Sequence, residues 1–349
     1  MALYVLGHEY FGLQVAGNTI RLAPELDLVF LIAFTTAILI LWRYPKGRMV
    51  AAILLVLTVV AAKKYVRHPW ASFREEKSLE QAYPRQIAKW AEMNLAGQRV
   101  LTSGSVRFWF DAWGDTPQLD GGSQQGMLNQ LLPIALWEVL TGKQQEASVL
   151  WLQALGTDGV IVPDKNSRDF YRGDFRFPEK FHGLPVLFDD GQGTVAYRIP
   201  RASPGIGRVV DAKTLESIGP IAGGLDTSRL HAYTAETERP DRPSVVVNWR
   251  GFDELRVNAR AAAGEAILLQ ETWDPSWIAE ENGKRLEIRR DRTMGFMIIP
   301  VTPGQHDVHL QFTTPLENRV GQIVSLASLL AVVGLFFVKN KEEVTPAEW

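Results

Sequence analysis

Apolar residues gather at the two ends of the chain and thin out through its middle. Residues 320–338 run 19 positions without a charge, between Arg319 and the pair Lys339 and Lys341. At about 1.5 Å per residue, a helix of that length matches the ~30 Å hydrocarbon core of a bilayer. This predicts one transmembrane helix over 320–338, with a helix buried in a protein core as the alternative. Two shorter runs, 28–42 and 49–62, flank a basic loop that carries Arg43, Lys46 and Arg48. Snorkelling by Lys63 and Lys64 and an interfacial Trp42 would lengthen both, so 28–66 reads as a transmembrane hairpin, again with core helices as the alternative. No basic stretch precedes the first run, which argues against a signal peptide, and 1–27 is assigned to the far side of the membrane.

Between these ends the periodicity changes twice. Over 72–200, helix and strand signals alternate. Residues 79–95 pattern as an amphipathic helix with Ile87, Trp90 and Ala91 inward. Residues 99–102 and 106–110 read as strands, 127–140 and 144–155 as a helix pair broken at Thr141-Gly142, and 159–162 as a buried strand. A hairpin over 185–199 turns at Asp190-Gly191. Residues 201–243, rich in Gly, Ser, Pro and Asp, read as a connecting segment with some strand in it. From 244 to 316, strand-length runs recur at the spacing of a β-sandwich, and Asn282-Gly283 is the strongest hairpin turn in the chain. The expected fold is therefore an α+β membrane protein. It has an N-terminal transmembrane hairpin, an extracytoplasmic α/β domain at 72–200, a β-sandwich at 244–316, a transmembrane helix at 320–338 and a cytoplasmic tail at 339–349.

Composition narrows the function. With 37 basic against 39 acidic residues the net charge is −2, so no global field draws the chain to nucleic acid. Cysteine is absent, which excludes disulfides, thiolate nucleophiles and Cys-type zinc sites. Of six histidines only His306 and His309 are close, and their odd spacing in a strand points them to opposite faces. No metal site and no cofactor is expected. Charge leaves the membrane orientation balanced, because Arg43, Lys46, Arg48, Lys339 and Lys341 oppose Lys63, Lys64, Arg67 and Arg319 across the spans.

Two polar clusters are candidate binding sites. Asp120, Gln124, Gln125 and Asn129 lie in a Gly-rich loop that enters a helix, whose backbone N–H groups suit an anion or sugar hydroxyls. A solvated turn with a helix cap is the plainer alternative. Trp109 and Trp113 just before it, and Trp273 and Trp277 around an Asp-Pro-Ser turn, offer rings for a sugar face, with core packing as the alternative. No serine elbow, nucleotide fingerprint or acid/base pair stands out, and no catalytic residue is assigned.

The segment LLQETWDPSWIAEENGKRLEIRRDRTMGFMIIPVTPGQHDVHLQFTTP resembles the C-terminal end of the YfhO-like family of bacterial multi-spanning membrane proteins. The resemblance is carried by Pro275 with Trp277, by Asn282 with Gly283, and by Pro303, Gly304 and His306. The stretches LWLQALGTDGVIV and GLPVLFDDGQGTVAYRIPRA resemble that family's middle domain. The family is similar to membrane glycosyltransferases that use a polyprenyl-phosphate-linked sugar and a carboxylate in an early extracytoplasmic loop. Here the corresponding loop is wholly basic. The resemblance implies the C-terminal portion of a glycosyltransferase-related protein of the bacterial cytoplasmic membrane. Its domain would face outward and act in envelope glycan or glycolipid assembly, with the bilayer and a lipid-linked sugar or glycan acceptor as partners. A non-enzymatic membrane-anchored scaffold contacting other envelope proteins is the alternative.

Overall fold

The computed structural model describes residues 23–72, 79–122, 128–169 and 172–337 and separates the chain into two units, Met1–Ser78 and Leu79–Trp349. In the first, helices α1 (Ala23–Trp42) and α2 (Pro45–Ser72) form a hairpin. Its turn is held by the Arg48 Nε donating to the Trp42 carbonyl at 3.1 Å. The helices meet closely here, since a Cβ on Gly47 would lie 2.3 Å from the Leu41 carbonyl oxygen. Ile38 and Ala51 are buried, whereas Leu31, Ile32, Val56 and Val60 are exposed.

The expected membrane spans do not survive. Among the described residues no helix is long and apolar enough to cross a membrane. At ~1.5 Å per residue, the apolar run 28–42 rises about 22 Å and the uncharged run between Arg48 and Lys63 about 21 Å, both short of ~30 Å. The last helix, α9 (Leu316–Phe337), falls under the same finding. The transmembrane hairpin, the C-terminal transmembrane helix, the extracytoplasmic placement of the domain and the localisation to the bacterial cytoplasmic membrane are all withdrawn. The segments 1–22 and 338–349 lie outside the described residues.

In the second unit a four-stranded sheet has the order β1-β2-β4-β3, built from β1 (Val100–Leu101), β2 (Gly159–Pro163), β3 (Val186–Asp189) and β4 (Thr194–Arg198). The β1–β2 pair is parallel and the others antiparallel. Because strand side chains alternate between faces, Ile161 joins Ile87, Ala91 and Phe110 of α3 (Tyr83–Asn94) and α4 (Val106–Trp113) on one side. Val160 and Val162 pack with Leu136, Val139 and Trp151 of α5 (Leu131–Thr141) and α6 (Gln145–Ala154) on the other. The stretch 106–110, read as a strand from its aromatic content, is helical. Val106 and Phe110, one turn apart, are buried together and leave Phe108 and Trp109 exposed.

The remaining strands form two stacked sheets. One has the order β10-β9-β13-β7-β6, from β6 (Val246–Trp249), β7 (Glu254–Ala261), β9 (Trp277–Glu281), β10 (Lys284–Leu286) and β13 (Gly304–Phe312). The other has the order β11-β12-β8-β5, from β5 (Gly207–Asp211), β8 (Glu265–Thr272), β11 (Arg289–Arg290) and β12 (Phe296–Pro300). Their facing side chains, among them Leu255, Val257, Val308 and Leu310 against Ile267, Leu269, Met297 and Ile299, make one apolar core. Asn282 at φ 50° and Gly283 at φ 73° make the tight turn joining β9 and β10.

Residues 201–243 are structured. They supply β5, which pairs antiparallel with β8, and helices α7 (Ala212–Ile218) and α8 (Thr227–Thr237). These helices are capped by Asp211, which accepts from the Thr214 N–H at 2.7 Å, and by Asp226. Leu215, Leu230 and Tyr233 cover the outer face of the second sheet, where Leu268 and Phe296 belong to the same core as Trp151 and Val160. The α/β layer and the sandwich thus share apolar contacts.

Lys180 closes the C-terminal end of α5, its buried ammonium donating to the Val139 carbonyl at 2.6 Å and the Gly142 carbonyl at 2.8 Å. Burial lowers its pKa to about 8 from 10.5, opposed by Glu138 and Glu179. A folded pKa below the unfolded one means the native state binds fewer protons between those two values, so stability rises with pH there. Relative to Lys180→Met, the wild-type protein should gain on the order of 2 kcal/mol as pH rises from about 8 to 10.5, after allowance for solvent screening. Urea midpoints of both proteins across that range measure it; parallel pH profiles would refute it.

Candidate functional site

In the second unit a cleft of about 630 Å³ opens where the segment after α4 faces the turn between β6 and β7. One wall is residues 114–118. Hydrogen bonds from Val100 N–H to the Pro117 carbonyl (2.9 Å) and from Leu119 N–H to the Val100 carbonyl (2.8 Å) lay this segment along β1. The Gln118 carboxamide is locked, donating to Asp111 at 2.9 Å and to the Arg107 carbonyl at 3.1 Å while accepting from the Thr102 hydroxyl at 3.1 Å. Asp111 and Asp115 both reach the cleft, and neither is ion-paired among the described residues.

The opposite wall holds Asn248, Trp249 and Phe252. Phe252 sits on a turn that Gly251 permits at φ 80°, and is 92% exposed. Trp249 is backed by Trp277, ring centroids 6.5 Å apart and edge-on.

The floor is a buried ionic network. Arg99 lies just before β1 and pairs with Glu271 at the end of β8. It also donates to the Leu155 carbonyl at 3.0 Å and the Gln270 carbonyl at 2.6 Å. Behind it, Asp158 accepts from the Arg99 N–H at 3.1 Å and from the Gly205 N–H. Arg201 and Arg208 both bind Glu238, at 2.8 and 3.2 Å. Burial, reinforced by the neighbouring Arg201 charge, lowers the Arg208 pKa to about 10 despite Glu238. In two residues of the cleft lining, the buried atoms Thr116 Oγ1 and Arg99 Nε have no hydrogen-bond partner among the described residues.

None of the described residues singled out from sequence lines this cleft. Asp120 is buried, accepting from the Gly122 N–H at 2.9 Å and pairing with Arg107 at 3.3 Å. Asn129 is buried too, accepting from the Leu131 N–H at 3.0 Å at the start of α5 and donating to the Met294 carbonyl at 2.8 Å. Gln124 and Gln125 lie outside the described residues. Trp109 and Trp113 stack one helical turn apart, centroids at 5.6 Å, on α4, but neither lines the cleft. Trp273 is half-buried and donates to the Ile288 carbonyl at 3.5 Å. Trp277 is buried between Trp249 and Phe312. The cleft residues Asp111, Asp115, Gln118, Asn248, Trp249 and Phe252 were not among those candidates. The signal for the last two was a second aromatic turn, Trp249-Arg250-Gly251-Phe252, of the same kind as Trp273 to Trp277.

Among the described residues no group of three or more His, Asp or Glu side chains could hold a metal ion. His306 faces Glu281 at 3.1 Å and His309 faces Glu254 at 2.9 Å. No family model, no curated protein and no solved structure matches the chain. With the membrane spans withdrawn as well, the glycosyltransferase-related reading has no support and is dropped.

Proposed function

We propose that this protein is a glycan-binding protein whose cleft at Trp249 and Phe252 receives a neutral, polyhydroxylated chain. The observation that carries the reading is the pairing of two aromatic rings on one wall with two carboxylates and a locked carboxamide on the other. Sugars present an apolar face of C–H groups and an edge of hydroxyls, so rings and planar polar groups set opposite one another match both.

The test is calorimetric titration of the full chain with neutral chito-, cello- and malto-oligosaccharides. One of them should bind, and Phe252→Ala should weaken it about five- to tenfold, the worth of one stacked ring at ~1 kcal/mol. Because Phe252 is so exposed, stability should be unchanged. No heat from any sugar at millimolar concentration, or equal binding by the variant, would remove the reading.

A second reading, a non-enzymatic scaffold that contacts other proteins, is favoured by one observation. Ile134, Trp137 and Leu225 form an exposed apolar patch at an open pocket of about 570 Å³, and such patches mark contact surfaces.

A further inference from the structure

A second cavity, of about 550 Å³, opens between the start of α5, the segment at Pro220 and Ile221, and the turn 290–295 that leads into β12. Its chemistry differs from that of the glycan cleft. Arg290 and Arg292 both line it and are exposed, and neither has a carboxylate within ion-pairing distance among the described residues. The one acid in the wall, Asp291, is turned inward. Its carboxyl is buried and accepts from the Thr293 N–H at 3.0 Å and the Met294 N–H at 2.7 Å.

Side-chain nitrogens of Arg290 and Asn129 pack against Gly295, which adopts φ 76°. A Cβ there would lie 3.4 Å from both Nε and Nη2 of Arg290 and 3.7 Å from Nδ2 of Asn129. The hydroxyl of Thr293, a residue 1% exposed that also lines the cavity, has no hydrogen-bond partner among the described residues. Finally, α5 runs 11 residues from this cavity; Asn129 already takes its Leu131 N–H at 3.0 Å, and the positive end of the helix dipole adds to the two guanidinium groups.

We infer that this cavity is a binding site for a phosphate group, held by the forks of Arg290 and Arg292 with the Thr293 hydroxyl as a further donor. Two unpaired guanidiniums beside a helix start favour a tetrahedral dianion over a neutral ligand. The cavity is much larger than a bare ion, and Leu131, Pro220 and Ile221 give it an apolar side that suits the organic part of a phosphomonoester. Inorganic phosphate and a phosphomonoester share the recognised group, and the experiment separates them.

Thermal unfolding of the full chain is followed while inorganic phosphate, or glycerol 1-phosphate, is titrated at constant ionic strength, with chloride as the control. Saturable stabilisation by phosphate is expected, since a ligand that binds only the folded state raises its melting temperature. A lower midpoint concentration for glycerol 1-phosphate identifies the monoester as the ligand, and equal midpoints identify the free ion. The double variant Arg290→Gln/Arg292→Gln, which alters only exposed side chains, should raise the midpoint at least about tenfold, the loss of two charge-assisted contacts. Phe252→Ala should leave it unchanged, so failure here is distinct from failure of the glycan cleft. A phosphate response no larger than that of chloride, or one equally strong in the double variant, overturns the inference.

Discussion

Replacing Arg99 by methionine should destabilise the protein by roughly 3–5 kcal/mol, the cost of breaking a buried ion pair from one side. The guanidinium is 8% exposed and Glu271 is 29% exposed. Removing Arg99 strands the Glu271 carboxylate and leaves the Leu155 and Gln270 carbonyls without their donor. Arg201 cannot take over, because its Nε is held by Glu238 and its Nη2 by Gln270 Oε1 at 2.9 Å. The urea midpoint measures the loss. The double variant Arg99→Met/Glu271→Met should recover part of it, because the stranded charge is then gone, and that recovery is the pairwise coupling. A loss for Arg99→Met below about 1 kcal/mol would mean that the network contributes little to holding the α/β layer against the sandwich.

Trp277→Ala should cost a similar 3–5 kcal/mol, as truncating a large buried aromatic does. Trp277 fills the end of the sandwich core, edge-on to Phe312 at 5.4 Å and to Trp249 at 6.5 Å. Its removal leaves a void that β9 and β13, registered against each other at Trp277 and Phe312, cannot close without losing ladder hydrogen bonds. Glycan binding should fall with it, because Trp249 loses its backing. The half-buried Trp273 is the control, and its alanine variant should cost about 1 kcal/mol. A change within about 0.5 kcal/mol for Trp277→Ala would place this ring outside the core and make a surface role for it credible.

The two tryptophans of one turn show how far residue type alone carries. Trp273 and Trp277 have the same composition around them and the same turn between them. Only the pairing of β9 with β13 decides that Trp277 faces inward. Likewise the Trp249-Arg250-Gly251-Phe252 turn carries the same aromatic signal as 273–277. What makes it a cleft wall is that 114–118 is hydrogen-bonded alongside β1 and brought opposite it. Asp120 and Asn129 illustrate the converse. A polar, Gly-rich stretch looks like a binding loop in sequence, yet both side chains are consumed in holding the loop and the start of α5.

Alternation of apolar and polar residues was legible wherever one face of a strand is buried and the other is solvated. The sequence alone therefore marked β7 and β13, whose burial alternates, and Asn282-Gly283 marked the β9–β10 turn, because period-two burial and a positive φ are local properties, whereas β8 and β12 are buried on both faces and carry no such alternation. Three things were decided by tertiary structure. Residues 106–110 are rich in aromatic residues but helical, because Val106 and Phe110 find a helix-spaced slot against α3. Residues 201–243 look like a linker but hold β5, α7 and α8, because the outer face of the β8–β12 sheet must be covered. The cleft and the Arg99–Glu271 pair join residues more than a hundred positions apart, and such neighbours leave no periodicity, because proximity across a fold is set by which layers stack and not by spacing along the chain.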